Sequence, residues 1–158
     1  MACDIISTRG ALFVLWGVPT NEDMDRIVNS LRAAVEQTGE PVMYVTRVPV
    51  DQPPPSAEVR RYLDGLMPAF VELVSGYHVV MEGAGFAAAV KRAVLLGLFQ
   101  LTWRRKTFFV HSSVDEIRGS LEPKLRPAMQ ALLDLAKSRG LLDAAGPISI
   151  PSFARPQP

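Results

Sequence analysis

The sequence predicts an α/β fold: a mixed, mostly parallel sheet in the order ββαβαβαβα, followed by one additional C-terminal helix. Three observations carry that prediction. Short β-rich runs alternate with stretches of 3.6-residue apolar period. The first two runs, Asp4-Ile-Ile-Ser-Thr8 and Ala11-Leu-Phe-Val-Leu-Trp-Gly17, are separated only by Arg9-Gly10, which suits a hairpin. Every later run is separated from the next by a helical stretch, so it needs a crossover and pairs in parallel.

The elements follow in order. Thr20, with Asp23 three residues on, marks a helix start. Met24, Ile27, Val28, Leu31 and Val35 then form one apolar stripe, and Gly39 ends it in a left-handed position. The run Pro41 to Val48 is almost continuously apolar, as expected of a central strand covered on both faces. After the proline-rich loop Pro49–Pro55, Ser56 caps a second helix whose apolar period runs from Val59 through Val74 to Gly76. Pro68 lies inside that period and predicts a kink or two consecutive pieces. Tyr77–Glu82 is the next strand, and Gly83-Ala-Gly85 turns into an apolar helix over 86–102. Lys106–His111 is the last strand. Ser113 with Glu116 matches the Ser-x-x-Glu capping box of a short helix, and a final helix covers about 124–139, ending at Gly140.

Composition narrows the class. With 158 residues, 48% hydrophobic and 21% charged, the chain suits one globular domain, here residues 1–145, with 146–158 as a Pro-rich tail. Lys+Arg 17 against Asp+Glu 16 gives no excess positive charge, which argues against nucleic-acid binding. The single cysteine, Cys3, excludes a disulfide framework within the chain. The N-terminus lacks the basic and apolar regions of a signal peptide. The apolar segment Gly85–Trp103 carries Lys91 and Arg92 near its middle and reads as a buried helix, not a transmembrane segment. A cytoplasmic location is expected. The mean hydropathy of +0.15 is high, and much of the excess sits in helix 86–102.

The element order over residues 4–121, with Leu15-Trp-Gly-Val-Pro-Thr20 before the first helix and Phe108-Phe-Val-His-Ser-Ser-Val-Asp-Glu116 before the last, resembles the STAS fold of sulphate transporters and anti-sigma-factor antagonists and its bacterial STAS-like relatives. The resemblance implies a non-catalytic protein-interaction or signalling module, a protein partner, and in many members a phospho-switch at the start of the second helix. The matching stretch here is Asp51-Gln-Pro-Pro-Pro-Ser56-Ala57; Ser56 is its hydroxyl residue, the motif's glycine is absent, and three prolines intervene.

Ser56 is therefore the sharpest candidate. A phosphate there would meet free helix N–H groups, with Arg60 and Arg61 one turn onward; a plain N-cap is the simpler role. Gly83-Ala-Gly85 lacks a dinucleotide fingerprint and a phosphate-loop Lys-Ser/Thr, so no cofactor is expected. His78 and His111, the chain's two histidines, could join Glu82 in an acid–base pair or partial metal site, but their spacing has no ligand pattern, and sheet histidines either packed or exposed at strand ends are expected. Arg104-Arg105-Lys106 reads as a solubilising cluster. No nucleophile elbow appears, and no enzyme is expected. Helix 86–102 is apolar on nearly every azimuth, so Phe86, Val90, Leu98 and Phe99 are candidates for an apolar interface. The helix near 124–139, the tail or a second subunit would cover it, which makes a homo-oligomer one expectation. The alternative is a carrier of a small apolar ligand or lipid, using a cavity beside the same helix.

Overall fold

The computed structural model describes residues 3–49, 52–53, 55–83, 89, 92 and 107–143. Strands β1 (Asp4–Thr8) and β2 (Ala11–Leu15) form the expected antiparallel hairpin, in a register that runs from Asp4↔Leu15 to Thr8↔Ala11. Gly10, with φ of 86°, supplies the positive φ that so tight a turn demands. Its carbonyl accepts from the Met43 N–H at 3.0 Å, which fixes the hairpin against the start of the third strand.

Helix α1 (Asn21–Thr38) has the complete capping box at Thr20 and Asp23, and Gly39 closes it with φ of 74° and an N–H bond to the Val35 carbonyl. Strand β3 (Val42–Arg47) is buried at all positions, as its unbroken apolarity requires. It pairs in parallel with β2 on one side and with β4 (Val74–Val80) on the other; β4 in turn pairs in parallel with β5 (Thr107–His111). The spatial order equals the sequence order, β1-β2-β3-β4-β5. The fold is thus α/β, with a mixed five-stranded sheet.

Two expectations about helix α2 (Ala57–Leu73) need correction. Of the two outcomes expected at Pro68, a kink or two consecutive pieces, the second does not occur: a single helix runs through the proline. The N–H that Pro68 lacks would have met the carbonyl of Asp64, and both residues are exposed, so water can satisfy that carbonyl. The helix also ends at Leu73, and Val74 and Gly76 belong to β4. Val74 fits the helical stripe, but pairing with Val42 captures it; Ser75 is then an extra residue before Gly76 meets Met43.

The sheet carries apolar cores on both faces. On one, α1 and α2 pack Met24, Ile27, Leu31, Val59 and Phe70 against Leu12, Val14, Val42, Tyr44 and Tyr77. Tyr44 sits edge-on to Phe70, with centroids 5.0 Å apart. On the other, a short helix α3 (Asp115–Ser120), one 3-10 turn (Pro123–Leu125) and helix α4 (Arg126–Ser138) complete the fold. The apolar stripe of α4, Met129, Leu132, Leu133 and Ala136, joins Ile6, Phe13, Met43 and Val45. It is thus spent on the sheet. The capping of α3 also differs: its box does not involve Ser113. The Glu116 carboxylate reaches back to Ser112, accepting from its backbone N–H at 2.8 Å and from its hydroxyl. The helix begins only at Asp115, so the reach spans one more residue than the box spacing.

The expected helix over 86–102, with its candidates Phe86, Val90, Leu98 and Phe99, lies outside the described residues except at positions 89 and 92, as does the tail from residue 144. Among the described residues no helix is long and apolar enough to cross a membrane.

Candidate functional site at the carboxyl rim of the sheet

In an open parallel sheet, loops at the carboxyl ends of the strands gather side chains from distant parts of the chain. Here the carboxyl rim collects the caps of α1 and α2, the end of β3, and the two histidines.

The caps come first. Asp23 is 2% exposed, and its carboxylate accepts from the Cys3 N–H (3.3 Å), the Thr20 N–H and hydroxyl (both 3.0 Å), and the Arg26 guanidinium (3.1 Å). One carboxylate thus joins the first strand to the first helix. Cys3 is buried beside it, and burial pushes its thiol pKa up. At the second cap, the Ser56 hydroxyl accepts from the Val59 N–H at 3.2 Å, so Ser56 is the N-cap of α2. It is exposed, as are Arg60 and Arg61, and neither arginine has an ion-pair partner among the described residues. The caps are held together: the Asn21 amide donates to Glu58 at 3.1 Å, and the Tyr62 hydroxyl donates to Asp25 at 2.7 Å. Val18, in the loop just before α1, is 58% exposed. The structure therefore brings Ser56, Arg60 and Arg61 to the same end of the molecule as an exposed valine.

At the end of β3, Arg47 is buried at 6% exposure. Its Nε and Nη2 donate to one Glu82 oxygen at 3.1 and 2.6 Å, and its Nη1 donates to the carbonyls of Leu141 and Asp143, both at 2.9 Å. Glu82 is thus committed to Arg47 and does not join the histidines. Nearby, Arg92 donates to the carbonyls of Met81 and Gly83, each at 3.1 Å. Sequence reasoning passed over Arg47; the signal was a charge closing an otherwise apolar run.

The histidines are brought together. Across the sheet Arg47, Val80 and His111 share one row of the register, and Val45, His78 and Phe109 the row two residues before it, on the same face. His78 Nδ1 lies 3.0 Å from His111 Nε2, with the rings inclined by only 11°. The His78 ring also stacks on Phe109, centroids 4.9 Å apart. They are 2% and 5% exposed. Burial, and then the nearby His111, lowers the His78 pKa to about 4. Burial also lowers that of His111, against the pull of the Glu116 carboxylate. The bonds from Ser112 hold the Glu116 carboxyl below its usual value. Both rings are therefore neutral at pH 7, one donating and one accepting. No group of three or more metal-ligating side chains occurs among the described residues.

Between α1 and α2 lies an apolar space of about 30 Å3, lined by Trp16, Met24, Tyr44, Leu66, Phe70 and Tyr77. That is about a tenth of a small-molecule pocket. No family model matches the chain, and no curated protein or solved structure matches it.

Proposed function

We propose that this chain is a non-catalytic protein-interaction or signalling module of the STAS-like kind, with its working surface at the carboxyl rim around Ser56. The observation that carries the reading is the surroundings of that serine: an exposed hydroxyl at the amino end of a 17-residue helix, followed by two exposed arginines without ion-pair partners among the described residues, and linked through Asn21–Glu58 to the helix that Val18 precedes. A rim of this kind supplies what a regulated contact needs. The valine gives apolar area, the arginines give charge complementarity, and the hydroxyl can accept a phosphate that the helix N-terminus would stabilise. The order of elements, a hairpin followed by parallel strands with α1 between β2 and β3 and α2 between β3 and β4, supports the same reading. The cavity expected of the apolar-carrier reading, beside helix 86–102, lies outside the described residues; the space between α1 and α2 has room for only a few water molecules.

The test is quantitative affinity capture from the native cells with four full-length baits: wild type, Ser56→Ala, Ser56→Asp and Val18→Glu. A single protein should be recovered by wild type and Ser56→Ala, lost with Val18→Glu, and changed at least severalfold with Ser56→Asp. Equal recovery by all four baits would remove the rim from consideration.

A further inference from the structure

We propose that His78 and His111 form a proton-operated latch between the carboxyl halves of β4 and β5, closed by one N–H···N bond between neutral rings and opened when both rings take up protons in mild acid, which loosens β5 and α3 from the rest of the sheet. This goes beyond the interaction reading and does not depend on it.

The geometry selects a proton as the bridging species. The two rings are nearly coplanar, and their facing nitrogens are 3.0 Å apart, the separation of an N–H···N bond. A metal ion held by two imidazoles at about 2.0–2.1 Å would hold them about 3.3 Å apart at a tetrahedral angle and about 4 Å apart in a line. No third ligand stands with them among the described residues. One neutral ring must donate and the other accept, so the contact carries one shared proton. A single added proton keeps an N–H···N bond, now charge-assisted. Two added protons place N–H against N–H at the same site, and the bond is lost together with its burial.

The charged groups around the pair set its threshold. From α3, Glu116 attracts a proton toward His111. Beyond Glu116 stands Arg92, whose charge helps keep that carboxylate ionised. From β3, Arg47 shares the His111 row but is already bound to Glu82, the acidic residue just beyond β4. From β5 itself the neighbour is the uncharged Phe109 ring. Opening reaches α3 because His111 is followed directly by Ser112, the residue that Glu116 grips.

The experiment is amide hydrogen exchange on the full chain from pH 7.5 to 4, corrected for the intrinsic pH dependence of exchange, with imidazole nitrogen NMR on the same samples. Protection of residues 107–120 should fall at least tenfold per pH unit below about pH 6, while β2 and β3 keep theirs. The ring spectra should change from one shared proton to two fully protonated rings over the same range. In His111→Gln the pH dependence of protection at 107–120 should flatten. If that variant does not fold, the wild-type exchange and ring spectra decide alone. Protection independent of pH, or lost uniformly across all strands, overturns the latch. A shift of both ring signals on adding Zn2+ at pH 7.5 also overturns it, by making the pair a metal site.

Discussion

Asp23 shows how much of this fold hangs on single polar side chains. Four donors converge on its buried carboxylate, two of them from outside the ordinary capping box. In Asp23→Ala the cap is lost and the Cys3 N–H is left buried without its acceptor. The expected cost is about 2–3 kcal/mol, combining a lost cap with an unsatisfied buried donor, and urea denaturation would measure it. Thr20→Ala, which leaves the Asp23 carboxylate in place, should cost about 1 kcal/mol. The larger loss at Asp23 distinguishes a tether between elements from a cap alone. Ser56 stands in contrast. Its hydroxyl makes one bond at an exposed helix start, so Ser56→Ala should cost about 1 kcal/mol or less and leave the protein suitable for binding experiments.

At the scale of elements, Pro68 is the position where a local rule is visibly broken. The helix accommodates it because the gap in its ladder faces solvent, yet the missing bond and ring crowding remain costs. Pro68→Ala should therefore stabilise the protein, by up to about 3 kcal/mol, and a rise in thermal midpoint would register it. The elements also show where a sequence is legible. Residues whose neighbours along the chain determine their state were readable: Thr20 and Asp23, the stripe of α1, Gly39, and the continuous run of β3. Residues whose state depends on strand pairing were not. Val74 fits the helical period of α2 and also the register opposite Val42, and only the second, a non-local contact, decides it. The histidines lie 33 residues apart in sequence. Their approach needs β4 beside β5 in a particular register, which no spacing along the chain encodes. Arg47 and Glu82 were hidden for the same reason, since the carbonyls that complete their site, those of Leu141 and Asp143, come from the segment after α4.

For the molecule as a whole, the pH dependence of stability has a definite sign. The pKa of His78 is depressed on folding, from 6.5 to about 4. Its contribution to stability is therefore complete above about pH 6.5 and is lost as pH falls toward 4, because the unfolded chain takes up the proton first. At pH 4 the loss is up to about 3 kcal/mol from this residue, and His111 adds to it in the same direction. Glu116 is also depressed, so its own contribution persists above the ordinary carboxylate range and disappears at still lower pH. Urea midpoints taken at pH 7.5, 6, 5 and 4 should fall steadily through this series. A midpoint that stayed level down to pH 5 would show that the pair is not buried as described.

Cys3, finally, makes the molecule its own gauge. The thiol is 2% exposed beside the Asp23 tether, and burial disfavours its reactive anionic form. An alkylating reagent can reach it only when the first strand lifts away from α1. The rate of modification in water therefore reads how often that strand detaches, without any cysteine having to be engineered. It should be slow in the wild type and rise by at least tenfold in Asp23→Ala, in proportion to the population of the lifted state. The lone cysteine of this chain is, in effect, a clock for the opening of its N-terminal seam.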